Sequence, residues 1–105
     1  MTPPWREHAA ATDELLTTIA YYHRQRAGLG DDFDAEIVAA LSDIREWPHS
    51  WPIVRRGPDG AVVRSRRVAV FPYRVIYVPS DDEVVVIAYA HERRKPGYWS
   101  GRLEG

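Results

Sequence analysis

Arg74, His91, Arg93, Arg94, Lys95 and Tyr98 lie in the last third of this 105-residue chain and are side-chain types that handle phosphate. Guanidinium groups grip phosphate oxygens bidentately, an imidazole titrates near neutral pH, and a tyrosine serves as acid, as base, or as a surface on which a nucleobase stacks. Cleaving RNA through its own 2′-hydroxyl needs a base for that hydroxyl, cations for the charged phosphorane and an acid for the leaving oxygen. Arg74 with Arg93 or Arg94 as the phosphate clamp, and His91 and Tyr98 as acid or base, are the catalytic candidates for those roles. Arg64, Arg66, Arg67, Arg94 and Lys95 form a basic surround suited to a nucleic acid or another target. Each also has a plainer use: Arg74 as a solvent-facing or ion-paired strand residue, His91 as a strand-end cap, and Tyr98 with Trp99 as packing for the C-terminal tail. Arg66 and Arg67 would equally suit acidic residues of a protein partner.

Two apolar runs deliver these groups, Val68 to Val78 and Val84 to Ala90, joined by a polar Pro-Ser-Asp-Asp-Glu connection. Their Val, Ile and Tyr content fits a pleated surface, so they predict a β-hairpin. The second run is apolar at seven consecutive positions, so both its faces must be covered, which places it centrally in a sheet with helices on at least one side. Pro96 and Gly97 then stop regular structure ahead of Tyr98 and Trp99.

Upstream, residues 3–8 predict a brief edge strand. Thr12, with Asp13 and Glu14 after it, predicts the start of a helix running to about Arg26, with Leu15, Leu16, Ile19, Tyr22 and His23 on one stripe. Gly28 and Gly30 predict its end, and a second helix follows from Asp31 or Asp32 to Trp47, burying Phe33, Ile37, Ala40, Leu41, Ile44 and Trp47. Gly57-Pro58-Asp59-Gly60 predicts a turn between strands at Ile53 to Arg56 and Ala61 to Arg67. The expected fold is α+β, a helical hairpin on one face of a small, mostly antiparallel sheet of three to five strands.

The length suits one domain, residues 1–105, in which folding buries about 65% of the unfolded chain's surface. Zero cysteines remove disulfides and thiolate metal sites, and the N-terminus lacks a secretory pattern, so a cytoplasmic location is expected. No apolar run is long enough to span a bilayer. The net charge of −1 hides an uneven distribution: residues 1–51 hold four Arg against nine acids, net −5, and residues 52–105 hold nine Arg and one Lys against six acids, net +4. His8, His23, His49 and His91 show no metal-ligand spacing, and no HExxH, Gly-rich phosphate loop or GxSxG is present. No metal or cofactor is expected.

The order of elements, the paired Tyr21 and Tyr22, the Gly-Leu-Gly-Asp-Asp-Phe start of the second helix, the Phe71-Pro72-Tyr73-Arg74-Val75-Ile76-Tyr77 segment and the His91 to Trp99 ending together resemble the RelE/ParE superfamily of toxins from bacterial type II toxin–antitoxin modules. The likeness covers nearly the whole chain and is closer to ParE-like, plasmid-stabilisation members. It implies a growth-inhibiting toxin neutralised by a cognate antitoxin in a hetero-complex. Tyr21 and Tyr22 point about 100° apart on a helix and cannot both be fully buried, so one of them, together with the cations Arg66 and Arg67, is expected to contact that antitoxin. Characterised ParE-like members act on DNA gyrase and are not nucleases, whereas RelE-like members cut mRNA on the ribosome; in the latter pattern Arg67, Arg74, Arg93 and Tyr98 match the functional positions. A non-catalytic nucleic-acid-binding module is the third reading.

Overall fold

In the computed structural model, which describes residues 3–104, the chain enters through a short strand, β1 (Trp5–Glu7), and passes directly into helix α1 (Ala9–Gln25). The helix begins earlier than Thr12 because His8 caps it, its Nδ1 accepting the Ala10 N–H at 3.0 Å. The Thr12 hydroxyl instead donates to the Glu7 carboxylate at 2.8 Å. Leu15, Ile19 and Tyr22 pack on the core as their spacing requires, but Leu16 is 60% exposed and His23 also faces solvent. At about 100° per residue the adjacent pairs Leu15 and Leu16, or Tyr22 and His23, cannot share one stripe.

Helix α2 (Leu29–Glu46) starts two residues before the expected Asp31. Gly28 makes the reversal with φ +84, a value that favours glycine, while Gly30 lies inside the first turn of the helix. A Cβ at Gly30 would strike the His23 ring and the Ile19 carbonyl, so this glycine sets how closely α1 and α2 approach. Phe33, Ile37, Ala40, Leu41 and Ile44 are buried as expected; Trp47 is instead the C-terminal cap and is 59% exposed.

The remaining strands are β2 (Ile53–Arg56), β3 (Val62–Arg67), β4 (Tyr73–Pro79) and β5 (Val84–His91), in the order β1-β5-β4-β3-β2. Only β1 pairs in parallel, with β5. The two helices therefore pack on a five-stranded mixed sheet. The run from Val68 is not all strand. Residues 68–72 form a tight connection between β3 and β4, because the chain must reverse there and Pro72 has no N–H for a ladder.

β5 has neighbours on both edges and cover on both faces. Val84, Val86 and Tyr89 join Phe33, Ile37 and Ile44 in the core beneath the helices. Ile87, Ala88 and Ala90 face the other way, onto Val63, Ile76 and Trp99. Ile76 pairs with Ala88 and Tyr77 with Val86, so Ile87 is an extra residue, a bulge that puts Ile87 and its neighbour Ala88 on one side. The second cover is the C-terminal segment, in which Tyr98, Trp99 and Leu103 run into a short 3-10 turn (Ser100–Glu104).

That segment is fastened by Glu14 of α1. Arg102 donates to both Glu14 oxygens at 2.8 and 3.1 Å, and the Tyr98 hydroxyl donates to Oε2 at 2.6 Å. Glu14 also accepts the Tyr89 N–H at 3.1 Å. β1 pairs with β5 only as far as Val86, so beyond that point the edge of β5 needs another acceptor, and a helix carboxylate supplies it.

Three phenols are held neutral by their surroundings. Burial pushes Tyr77 up to about 12, with its hydroxyl donating to the Pro48 carbonyl at 2.8 Å. Burial first, then the bond to a carboxylate, raises Tyr89 (to Glu7) and Tyr98 (to Glu14). A phenol whose pKa is higher folded than unfolded stabilises the fold fully below about pH 10, and that stabilisation is lost as pH rises through the folded value. The denaturation midpoint should therefore fall steadily from pH 10 to 12 as phenolate absorbance grows, and a midpoint that stays flat over that range would refute this account.

Candidate functional site

The sheet face turned away from the helices holds a cleft of about 280 Å³ beside the C-terminal segment, and Arg55, Arg74, His91, Arg94, Lys95 and Tyr98 contribute to its walls. Strand alternation places Arg74 there, between the helix-facing Tyr73 and Val75, and its guanidinium donates to the Ser65 hydroxyl on β3 at 3.3 Å. Arg94 lies over the Tyr98 ring, 3.9 Å from its centroid. Arg55 is held by a bond to Ser100 and by the Trp99 ring, 5.0 Å away. Gly97, at φ +76, passes so close to Arg55 that any Cβ would strike the guanidinium.

Charge distinguishes this cleft. Among the described residues, Arg6, Arg26, Arg66, Arg67 and Arg102 have a carboxylate within 4 Å; of the cations that have none, Arg24, Arg45, Arg56, Arg64 and Arg93 lie outside the cleft, while Arg55, Arg74, Arg94 and Lys95 gather around it. Glu92 also lines the cleft, but Arg67 engages it at 3.0 Å. Four uncompensated cations around one concavity attract an anionic group.

The other sequence candidates lie elsewhere. Arg64 and Arg66 project to the helix side of β3. Arg64 donates to the Trp51 carbonyl at 2.8 Å, and Arg66 pairs with Asp43 at 2.7 Å while lying over the Trp51 ring at 4.7 Å. Together they tie the segment after α2 to the sheet. Arg93 is exposed on the turn beyond β5 and does not line the cleft; its N–H donates to His91 Nδ1 at 3.0 Å. That bond places the proton of a neutral His91 ring on Nε2. Tyr22 packs on Phe71 and Phe33, with centroids 5.0 and 5.3 Å away, leaving Tyr21 48% exposed with its ring edge-on to Tyr22. Arg55 is a cleft residue that the sequence does not single out, and a bulge explains why: Ile53 pairs with Arg64 but Arg55 with Val63, so the face changes between them. Plain alternation would have left Arg55 on the helix side.

Tyr98 is poorly placed to transfer protons. Its hydroxyl is committed to Glu14, and burial together with that bond raises its pKa well above the usual phenol value. A base needs the phenolate and an efficient acid needs a pKa near the working pH; this environment opposes both. What remains is an aromatic platform under Arg94 in a cationic cleft. Among the described residues, no group of three or more His, Asp or Glu side chains is arranged to hold a metal ion, and no helix is long and apolar enough to cross a membrane.

The helical hairpin and five-stranded mixed sheet define a small α+β fold with a solved structural relative. A solved structure described as the chromosomal ParDE TA system from P. aeruginosa matches with a TM-score of 0.71 at 11% identity, covering 86% of this chain and 96% of that one. The family model for the ParE toxin of the type II toxin–antitoxin system parDE matches residues 7–96, and the chain belongs to that family. No curated protein matches it in sequence.

Proposed function

We propose that this chain is a growth-arresting toxin that acts by binding DNA gyrase, without breaking a covalent bond, and that a cognate antitoxin neutralises it. The observation that carries the non-catalytic part is the sealing of Tyr98 against Glu14, which removes the acid or base that RNA cleavage would ask of that position. The uncompensated cations of the cleft serve attraction and orientation of a partner. Family membership supports the toxin role, and the similarity to a ParDE system supports the antitoxin partner. The test is to add the purified chain to a gyrase supercoiling reaction and, separately, to a purified translation system. Loss of supercoiling with intact mRNA is expected; specific mRNA fragments with normal supercoiling would replace this reading with the nuclease.

The antitoxin contact is separable from the fold at the paired tyrosines. Tyr21 is the exposed member and a suitable interface anchor, whereas Tyr22 belongs to an aromatic cluster. Tyr21→Ala should weaken antitoxin binding about tenfold, the loss of one moderate anchor, while leaving the melting temperature unchanged. Tyr22→Ala should cost about 3 kcal/mol of stability. Calorimetric titration alongside thermal melting checks both; equal antitoxin affinity for wild type and Tyr21→Ala would remove Tyr21 from the interface.

A further inference from the structure

Two unfavourable features coincide at one residue, Val70, in the connection between β3 and β4. Its φ is +73, and the Phe71 N–H donates to the Ala69 carbonyl at 2.9 Å, so Val70 is the centre of a γ-turn of the positive-φ kind, the rarer and more strained of the two. A β-branched side chain is among the least suited to that region. Val70 is also 87% exposed, the highest value among the exposed large hydrophobic side chains of the described residues. Glycine would adopt the turn freely, and a polar residue would suit the exposure.

The turn is imposed by its anchors. Val68 and Phe71 on either side are buried, and Phe71 packs edge-on to Phe33 and Tyr22 at 5.2 and 5.0 Å. The Val68 N–H donates to the Tyr73 carbonyl at 2.9 Å, and the Tyr73 N–H to Phe71 at 2.8 Å, a second γ-turn around Pro72. The valine at the tip is thus held rigidly outward. Strain retained by an over-determined surrounding is a feature of functional surfaces.

The same end of the sheet carries cations. Glu92 N–H donates to the Pro72 carbonyl at 2.9 Å and the Glu92 carboxylate pairs with Arg67, so the turn at residues 91–94 is joined to the Val70 connection. Arg93, exposed on that turn, has no ion-pair partner among the described residues. An apolar tip held out by buried anchors, at the same end of the sheet as an exposed guanidinium without an ion-pair partner among the described residues, is complementary to a non-polar socket bordered by carboxylates.

We infer that Val70, with Arg93 at the same end of the sheet, is a contact point on the toxin's protein target, inserting into such a socket. The inference rests on the reading that the chain arrests growth by binding a protein. Its test uses three chains expressed in cells and purified with the antitoxin: wild type, Val70→Gly and Val70→Thr. Glycine removes both tip and strain, and even after the added freedom of its unfolded chain it should raise the melting temperature by about 3 °C. Threonine keeps the branched shape and the strain but places a hydroxyl where the socket needs a methyl. Both should need at least tenfold more inducer for equal growth arrest, with antitoxin binding unchanged. If Val70→Gly melts higher and arrests growth like wild type, the inference fails and the toxin reading stands. If it melts lower, the turn is not strained and the inference fails as well. If wild type itself does not arrest growth, the toxin reading fails first and takes the inference with it. Arrest by the Gly and Thr variants that weakens in proportion to added salt, accompanied by capture of nucleic acid, would overturn the protein-socket chemistry.

Discussion

Glu14→Ala should lower folding stability by about 3 kcal/mol, read as a drop in the denaturant midpoint with little change in slope. This carboxylate accepts two bonds from Arg102, one from the Tyr98 hydroxyl and one from the Tyr89 N–H. Removing one member of a buried ion pair costs about 3–5 kcal/mol because the other charge stays buried without a partner. Here the Glu14 and Arg102 side chains retain 18% and 19% exposure, so water reaches them and the lower figure applies. Glu14→Gln keeps an acceptor and loses the charge, so it should recover about half of the loss. The location matters as much as the size. Glu14 is the clasp that holds the C-terminal segment against the sheet, and Trp99 fluorescence should redden in Glu14→Ala before the helices melt, as the indole gains access to water. A variant within about 0.5 kcal/mol of wild type would show that the segment is held by Trp99 and Leu103 packing alone.

The local signals in the sequence are strong where one residue decides the outcome. The apolar positions of the second helix, its first-turn acids, the turn at residues 57–60 and the doubly covered strand at Val84 to Ala90 all express burial or dihedral preferences that neighbours in sequence dictate. Sequence and structure part where tertiary partners override such preferences. His8 displaces Thr12 as helix cap because β1 hands the chain over at Glu7, whose carboxylate takes the threonine hydroxyl. The sequence places helices on at least one side of β5, as found; the cover on its second face is the C-terminal segment, and nothing in the periodicity of Val84 to Ala90 says which element covers which face. The candidate site is half legible: Arg74, Arg94, Lys95, His91 and Tyr98 share the cleft, but Arg55 reaches it through a bulge, and Glu14 reaches Tyr98 across 84 positions of sequence. Pairings of that range leave no local trace. Val70 is hidden for the opposite reason, since a valine in an apolar run reads as strand and its positive φ is imposed by anchored neighbours.

Tyr98→Phe should leave growth arrest within about twofold of wild type, and this separates a binding toxin from a cutting one. The phenol donates to Glu14 and is kept protonated there, so deleting the oxygen removes a bond to a carboxylate, about 1.5 kcal/mol of stability, while the ring stays in place under Arg94. Arg74→Ala is the informative companion, because Arg74 is a cleft cation whose guanidinium, among the described residues, is held by the Ser65 hydroxyl alone. In a nuclease, losing a donor to the developing phosphorane would cost roughly 3 kcal/mol, more than a hundredfold in cleavage. In a gyrase-binding toxin the cleft contributes contact and steering, so Arg74→Ala should weaken inhibition by about tenfold, and more at low salt than at high salt, since exposed charges are screened. Supercoiling assays at two ionic strengths, with the antitoxin complex as a control for folding, measure both effects. Specific mRNA fragments from the wild-type chain in a purified translation system, abolished by Arg74→Ala and by Tyr98→Phe alike, would reverse the assignment: Tyr98 would then have to leave Glu14 on binding RNA and act as the acid that its free-state environment disfavours.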